Sequence, residues 1–291
     1  MIPEQWLPRK QKSFLSSPKR VGLKRMNRIT VKDILNRKQK EKRKITVLTA
    51  YDFPFAKLVD EAGLDIVLVG DSVGMVCLGY ETTIPVSMRE MLHHVKAVRR
   101  AVKHALLVAD MPFGSYQGIE AAIRNARRFL KEAGAEAVKV EGGKRVLAQV
   151  KALVRAGIPV MGHLGMTPQS VNELGGYKVQ GREAKQAGQI LEDALLLDKL
   201  GVFAVVLECI PASLAQKITQ VLRIPTIGIG AGPHCTGQVL VLYDLLGLYG
   251  DLKPKFVKQY GDGKGFARKA LELYVDDVKR GKFPEEKHSF K

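Results

Sequence analysis

From residue 45 to about residue 245, short apolar runs rich in β-branched residues alternate with stretches in which apolar residues recur every three or four positions. The first pattern is typical of buried strands and the second of amphipathic helices, so their alternation predicts a parallel α/β sheet. The predicted strands cover residues 45–50, 64–69, 105–109, 136–140, 158–162, 203–207, 225–229 and 238–243. Eight parallel strands are the number that closes a (β/α)8 TIM barrel.

The helices between these strands carry their own signals. Ser87, followed by Glu90 three residues later, predicts a capping box at the start of an amphipathic helix. Four predicted strands follow a helix that ends in glycine, which adopts the left-handed C′ conformation at little cost; these endings are EAG 61–63, EAG 132–134, RAG 155–157 and KLG 199–201. After residue 250 the pattern is helical without strands, which predicts additional C-terminal helices packed on the barrel. Residues 26–291 are therefore expected to form a single domain.

A doubly wound open sheet has similar periodicity, so the positions of polar residues help to choose between the two folds. An open sheet gathers its polar groups at one crevice, whereas a barrel gathers them at the carboxyl end of strand after strand. Here six consecutive predicted strands end in polar side chains, namely Tyr51 and Asp52, Asp71 and Ser72, Asp110, Lys139 and Glu141, His163, and Glu208. This distribution favours the barrel.

The carboxylates at these strand ends allow two interpretations. An aspartate after a strand commonly caps the next helix. Asp71, Asp110 and Glu141 together, however, would place three negative charges on one rim, which calls for a cation. Oxygen ligands without paired His or Cys favour Mg²⁺ over zinc or copper.

Two further side chains at the strand ends are candidates for chemistry. Lys139 shares a strand face with Glu141, and a lysine in a covered strand needs an acidic partner or a polar cavity, unless it extends to the rim. Glu208 ends an apolar strand, where a carboxylate suits proton transfer, although a structural ion pair is the alternative. The glycines of GIGAG 228–232 allow either phosphate binding or tight packing.

The net charge of +18 is concentrated at one end of the chain. Residues 1–44 hold 15 Lys and Arg against three Asp and Glu, while the remaining residues hold 32 against 26. Residues 1–25 lack helical apolar spacing, which predicts a basic, disordered N-terminal extension. A translation start at Met26 and a mitochondrial presequence are alternative explanations. Met26 precedes a stretch, 29–35, with helical apolar spacing.

The remaining composition restricts the cellular setting. The three cysteines, Cys77, Cys209 and Cys235, have no CxxC spacing, which argues against a disulfide framework or a structural zinc site. No apolar run has the length of a membrane span, and no secretory signal is recognisable. We therefore expect a cytoplasmic protein that does not bind membranes.

The sequence also contains several long motifs in a fixed order: GDSVGMVCLGYETTIPVSMREMLHHVKAV (70–98), VADMPFGSY (108–116), VKVEGG (138–143), GHLGMTPQSVNELGGYKVQGR (162–182), LECIP (207–211) and IPTIGIGAG (224–232). With these motifs the chain resembles the ketopantoate hydroxymethyltransferases from about residue 27 onward. Residues 1–25 have no counterpart in that family, and Thr236 stands where many members carry an acid.

The resemblance implies a Mg²⁺-dependent barrel that moves a hydroxymethyl group from 5,10-methylenetetrahydrofolate to 3-methyl-2-oxobutanoate in pantothenate and coenzyme A biosynthesis. It further implies that Asp71, Asp110 and Glu141 form the metal site, with Glu141 acting directly or through a water. By the same resemblance, Asp71, Ser72, Asp110 and Lys139 contact the 2-oxo acid and Glu208 accepts a proton. The resemblance also implies a homo-oligomeric ring, such as a decamer.

Two other functions compete with this one. A Mg²⁺-dependent 2-oxo-acid lyase of the isocitrate-lyase type would share the metal, but such lyases usually rely on a reactive cysteine, and no cysteine here stands in a comparable motif. A nucleic-acid-binding protein would use the basic extension, and its binding would fall steeply with salt. The extension holds few aromatic residues, so we expect no nucleic-acid partner.

Overall fold

The computed structural model describes residues 27–41, 43–250 and 254–290. The basic extension over residues 1–25 lies outside this part of the chain, so its disorder stays a prediction. Within the described residues, eight parallel strands pair in chain order and close into a barrel, as predicted. They are β1 Ile45–Thr49, β2 Ile66–Val69, β3 Leu106–Asp110, β4 Ala137–Glu141, β5 Val160–Gly165, β6 Ala204–Glu208, β7 Thr226–Ile229 and β8 Gly237–Leu240.

Helices surround the barrel and follow it in the chain. They are α1 Val31–Asn36, α2 Phe53–Glu61, α3 Val73–Val76, α4 Met88–Ala101, α5 Ile119–Ala133, α6 Leu147–Arg155, α7 Val171–Leu174, α8 Ala184–Leu200, α9 Ala212–Val221, α10 Leu242–Leu245 and α11 Gly263–Lys279. Ser87 and Glu90 form the predicted capping box of α4. The four predicted glycine endings, including Gly134 and Gly201, all have positive φ.

Alternation along the strands separates two cores. On β4, Ala137 belongs to an apolar cluster inside the barrel, whereas Val138 and Val140 belong to the cluster between the strands and the helices. The inward positions nearest the carboxyl end of β4 are therefore Lys139 and Glu141. The interior is thus apolar at the amino ends of the strands and polar at their carboxyl ends.

The segment around α1 closes the amino end of the barrel. Ile34 is fully buried in the interior cluster. The Lys38 ammonium donates hydrogen bonds to the carbonyl oxygens of Thr219, Leu222 and Ile224 at 2.7–2.9 Å. The predicted helical stretch over residues 29–35 is therefore part of this closure, and the open face of the barrel is the opposite one.

The C-terminal helix differs from the expectation in one respect. Helix α11 is present as predicted, but none of its residues is buried, so it does not pack along the barrel of its own chain. Its first turn contacts the barrel domain through a hydrogen bond from the Gly263 amide to the Leu246 carbonyl. No helix in the described part of the chain is both long and apolar enough to cross a membrane.

Candidate active site

The register of the strands brings the predicted polar residues together at the carboxyl end of the barrel. Asp110 on β3 pairs with Lys139 on β4, and Glu141 pairs with His163 on β5. Gly165 on β5 pairs with Glu208 on β6. Side chains at these neighbouring inward positions necessarily share one polar layer. The carboxyl ends of β2 to β6 therefore all contribute predicted polar side chains to this layer.

Three carboxylates form the centre of this layer. Asp71, Asp110 and Glu141 are all buried, and each offers an oxygen that lies within 4.8 Å of an oxygen of the other two. The backbone amide of Asp71 donates a hydrogen bond to Oδ2 of Asp110 at 3.2 Å. Three buried carboxylates at this spacing could supply the oxygen ligands of a cation such as Mg²⁺.

Lys139 lies against two of these carboxylates. Its Nζ is 2.7 Å from Oδ1 of Asp110 and 3.3 Å from Oε1 of Glu141. Only 4% of the residue is exposed, so it does not extend to solvent at the rim. Burial lowers the pKa of an ammonium group, but the charges of Asp110, Glu141 and Asp71 outweigh burial and raise the pKa of Lys139 above its ordinary value. The lysine is therefore a buried cation.

His163 connects the carboxylate cluster to Glu208. Its Nδ1 is 3.2 Å from Oε1 of Glu141, and its Nε2 is 3.1 Å from Oε2 of Glu208. Burial and the charge of Lys139 lower the pKa of His163, but Glu141 and Glu208 outweigh them and raise it to about 9. The His163 ring thus lies between Glu208, whose side chain is 16% exposed, and the buried carboxylates.

The backbone after Glu208 turns sharply. Cys209 has a φ of +46°, which is uncommon for a residue with a side chain. Its amide donates to the Ile229 carbonyl, and its carbonyl accepts from the Gln180 amide. The Glu208 carbonyl accepts a hydrogen bond from Met166. These bonds hold the end of β6, and with it the backbone of Glu208, against its neighbours.

Ser72 stands beside the carboxylates. It occupies the N-cap position of the short helix α3, but its side chain makes no capping hydrogen bond. Its hydroxyl instead lies 2.8 Å from the hydroxyl of the buried Tyr51. The Ser72 side chain thus does not cap the helix, and its hydroxyl is held by Tyr51, which follows β1.

The electrostatics of the carboxylates differ from one to the next. Burial, together with the charges of Asp110 and Glu141, raises the pKa of Asp71 well above its ordinary value. Burial also raises the pKa of Asp110, although Lys139 opposes it. For Glu141, burial is outweighed by Lys139 and His163, and its pKa falls to about 2. Burial and mutual repulsion therefore disfavour the charged forms of Asp71 and Asp110, and a bound cation would offset both effects.

Other singled-out residues have structural roles. Asp52 caps α2 by accepting a hydrogen bond from the Phe55 amide, so for it the helix-cap interpretation holds. In GIGAG, a Cβ on Gly232 would lie 2.5 Å from the Cβ of Ala212, and one on Gly230 would meet the Phe256 ring at 3.0 Å. These glycines therefore serve tight packing.

Sequence reasoning missed Gln169, and it gave little weight to His163. Gln169 lies in the loop after β5 and donates hydrogen bonds to both Asp71 and Glu141. His163 has a usable sequence signal, because it follows Met161 at the two-residue spacing of an inward strand face. Gln169 has no such signal, since a loop has no periodicity from which the direction of a side chain follows.

Comparison with known proteins gives a consistent family. The model of the ketopantoate hydroxymethyltransferase family matches residues 28–286. A 3-methyl-2-oxobutanoate hydroxymethyltransferase of Carboxydothermus hydrogenoformans is 57% identical over 266 residues, which cover 91% of this chain and 96% of that protein. The enzyme of the same name from Moorella thermoacetica is 56% identical, covering 91% and 98%.

Solved structures with a similar fold are more distant in sequence. A phosphonopyruvate hydrolase in complex with oxalate and Mg²⁺ has a TM-score of 0.58 at 13% identity, covering 89% of this chain and 93% of that one. A 2,3-dimethylmalate lyase of the PEP mutase/isocitrate lyase superfamily has a TM-score of 0.56 at 14% identity, covering 90% and 91%. These structures support the barrel fold alone. On the sequence match over nearly its whole described length, the chain belongs to the ketopantoate hydroxymethyltransferase family.

Proposed function

We propose that this chain transfers a hydroxymethyl group from 5,10-methylenetetrahydrofolate to 3-methyl-2-oxobutanoate and so forms 2-dehydropantoate for pantothenate and coenzyme A biosynthesis. The observation that carries the proposal is the arrangement of Asp71, Asp110 and Glu141 around Lys139, with Glu208 beyond His163. Three carboxylates suited to a cation and a fourth suited to proton transfer thus lie in one polar layer at the open end of the barrel, which supports the proposal.

The residues present fit a resident Mg²⁺ ion. The donor set consists of three carboxylates, which are the hard oxygen ligands that Mg²⁺ prefers. Burial, followed by the charges of Asp110 and Glu141, raises the pKa of Asp71, and a bound cation would offset this penalty on the charged carboxylate. Asp71, Asp110 and Glu141 would hold the ion, Glu141 either directly or through a water. A bound Mg²⁺ would supply Lewis-acid stabilisation to the oxygens of the 2-oxo acid.

The chain's own residues would act on the 2-oxo acid as follows. Ser72 and the ammonium of Lys139 bind and orient the carboxylate and the ketone of the substrate. As the C3–H bond breaks, Glu208 receives the proton, and the electron pair forms the C2–C3 double bond of an enolate. Lys139 stabilises the negative charge that develops on the ketone oxygen, because it is a buried cation in a water-poor layer.

The transfer itself is balanced by one water molecule. The enolate carbon C3 forms a bond to the one-carbon unit, both C–N bonds between that unit and the folate break, and water supplies the hydroxyl oxygen. Tetrahydrofolate leaves with two added hydrogens, one that originates from C3 and one from the water. The proton that Glu208 took from C3 has by then passed on, so the carboxylate is again ready to act as a general base in the next turnover.

The direct test is an assay of 2-dehydropantoate formation that depends on 5,10-methylenetetrahydrofolate, carried out with and without a chelator. We expect turnover to require Mg²⁺ and to be abolished in Asp71→Ala and in Asp110→Ala, because each change removes a proposed ligand. Glu132→Ala, which removes a surface carboxylate paired with Arg128, is the matched control and should titrate with Mg²⁺ as the wild type does. An unchanged metal requirement in both site variants would contradict the assignment.

The competing lyase function lacks support at the cysteines. Burial raises the pKa of Cys77 and of Cys235, and raises that of Cys209 to about 12. Since the thiolate is the reactive form of cysteine, a raised pKa means that none of these three thiols is activated for the chemistry of such a lyase. The nucleic-acid alternative depends on residues 1–25, which lie outside the described part of the chain, and predicts salt-sensitive binding that is lost when those residues are removed.

We further infer that the protein works as a homo-oligomer in the cytoplasm. The inference of an oligomer is supported by α11, on which Leu271, Tyr274, Val275 and Val278 lie at three- and four-residue spacing and are all exposed. A second copy of the chain is the occupant that a ring assembly would bring to this stripe. The three free cysteines are consistent with a reducing compartment.

A further inference from the structure

Gln169 makes more contacts with the carboxylate cluster than its position in a loop suggests. It belongs to the 3₁₀ turn Pro168–Ser170 after β5 and is 5% exposed. Its backbone amide donates to Oε2 of Glu141 at 3.0 Å, and its side-chain Nε2 donates to Oδ2 of Asp71 at 2.8 Å. One residue therefore holds carboxylates that come from the ends of two different strands, β2 and β4.

The orientation of the Gln169 amide is determined by its neighbours. Besides Asp71, Nε2 donates to the Met111 carbonyl at 2.9 Å, while Oε1 accepts a hydrogen bond from the Tyr116 hydroxyl at 2.6 Å. With the amide reversed, Oε1 would face the Met111 carbonyl oxygen, which cannot donate a hydrogen bond. Both protons on Nε2 are thus used, and Tyr116 holds the amide so that they point to Asp71 and Met111.

A neutral donor has a specific advantage at this place. Hydrogen bonds from an amide favour the charged form of Asp71 without adding a positive charge that would repel a metal ion. Lys139 already supplies the cationic contact, and it does so to Asp110 and Glu141. Of the three carboxylates, Asp71 is the one whose charged form is most disfavoured, because burial and the charges of Asp110 and Glu141 raise its pKa. The hydrogen bond from Gln169 acts in the opposite direction and lowers that pKa.

We propose that Gln169, oriented by Tyr116, is the positioning residue that sets the Asp71 carboxylate for a divalent cation. This inference rests on the proposed function, because it requires that the cluster binds such an ion. Gln169 acts through Asp71 and not on the substrate, so its removal changes the affinity for the ion more than the fold.

The test is cation binding to the full-length protein without substrate, measured by calorimetry with Mg²⁺ and by electron paramagnetic resonance with Mn²⁺. Gln169→Met has nearly the same length and removes the side-chain hydrogen bonds, while the backbone hydrogen bond to Glu141 remains. We expect its dissociation constant to rise about 10–100-fold, which is the usual effect of losing a residue that orients a metal ligand.

The matched control is Gln189→Met on the exposed face of α8. There too an amide Nε2 donates to a carboxylate, Oδ1 of Asp193, at 2.9 Å. Its dissociation constant should equal that of the wild type. The melting temperature of each variant in chelator separates a positioning role from a structural one, since a structural residue would lower the melting temperature and leave the affinity unchanged.

Tyr116→Phe is a second route to the same answer if Gln169→Met does not fold. It removes the hydroxyl that orients the amide and leaves every carboxylate in place, so we expect a smaller loss of affinity and a broader Mn²⁺ spectrum. Affinity within about twofold of the wild type in the soluble variants would overturn the role of Gln169 while leaving the proposed function intact. A wild-type protein that binds no cation, with Asp71→Asn behaving identically, would overturn both.

Discussion

Lys139 illustrates how a single charged side chain can be stable inside a barrel. Removing an ammonium group from water is costly, and the cost is offset only when opposite charges lie close to it. Asp110 at 2.7 Å and Glu141 at 3.3 Å meet this condition. The converse also holds, because without the lysine these carboxylates would repel one another. The lysine therefore organises the cluster in the free enzyme and faces the substrate during the reaction that we propose.

Replacing this lysine should affect both binding and turnover. In Lys139→Ala we expect a higher KM for the 2-oxo acid and a lower kcat, because a point charge acts on the substrate carboxylate and on the developing enolate. Steady-state kinetics with varied 2-oxo acid measures both. Lys144→Ala, which removes a lysine of an exposed pair with Glu192, is the control. If Lys139→Ala bound and converted the substrate normally, the lysine would be a structural counter-ion only.

Glu208 should carry the proton that leaves C3. Glu208→Gln keeps the size and the hydrogen-bonding capacity of the side chain but cannot accept a proton. Substrate and Mg²⁺ binding should therefore survive, while turnover should fall by about 10²–10⁴-fold. Exchange of the C3 hydrogen with deuterated water, followed by NMR without folate, isolates this step.

The control for this exchange experiment is Glu173→Gln, which alters an exposed carboxylate paired with Arg145. Exchange that persists undiminished in Glu208→Gln would assign the proton transfer to another group. Glu208 would then keep only its ion pair with His163.

At the scale of elements, periodicity predicted all eight strands but not their ends. The fifth strand was predicted over residues 158–162 and runs over Val160–Gly165, because its end is extended by pairing with β6 up to Glu208. The last strand was predicted over residues 238–243 and ends at Leu240, because Val241 is already the N-cap of α10. Strand ends depend on partners distant in sequence, which local patterns do not contain.

Part of the candidate site could likewise be predicted from the sequence and part could not. Residues on strands, such as Lys139 and Glu141, were predictable because alternation fixes the face on which they lie. The hydrogen bonds from Gln169 and the placement of His163 between two carboxylates depend on how three strands and a loop meet, which a single sequence does not specify. The outward course of α11 was also missed, since an apolar helix face predicts burial but not the chain that provides it.

One connection between elements provides a test of stability. Asp60 near the end of α2 is 3% exposed and accepts hydrogen bonds from the backbone amides of Lys103, His104 and Ala105, in the turn between α4 and β3. Burial raises the pKa of this carboxyl, but these hydrogen bonds outweigh it and the pKa is lowered. The carboxylate thus stabilises the fold at neutral pH.

Asp60→Asn should lower the free energy of unfolding by about 1–3 kcal/mol at pH 7, because the amide group places donors against donors. A lowered native pKa gives stability that is present above the unfolded pKa of about 4 and is lost as pH falls through the native value. Urea unfolding at several pH values should therefore show the difference between the two proteins shrinking below about pH 4. A difference that stays constant with pH would contradict the role of the charge.

At the scale of the whole molecule, the exposed stripe on α11 predicts association. An apolar helix face of this kind is unfavourable in water and is typical of an interface. We expect the full-length wild type to be an oligomer in light scattering coupled to size-exclusion chromatography. The double variant Leu271→Lys/Val275→Lys should shift it to smaller species.

The control for this experiment is Glu272→Gln/Asp276→Asn, which changes the net charge of α11 by the same amount but alters the polar residues of the helix. The ion pair that Asp276 forms with Arg280 is exposed, and exposed pairs contribute little to stability, so the helix itself should tolerate its loss. The control should remain oligomeric. A monomeric wild type at micromolar concentration would rule out the stripe as an interface between copies.

The closure of the amino end of the barrel also has a consequence for synthesis. A ribosome delivers the chain from its N-terminus, so α1 emerges long before its partners. Lys38 bonds to carbonyl groups 181 to 186 residues further along, and β1 pairs with β8. Until those segments leave the exit tunnel, the nascent chain exposes the apolar side of α1 and one unpaired edge of β1. The barrel can therefore be completed only when most of the chain has been translated, and protection from aggregation is needed throughout that interval.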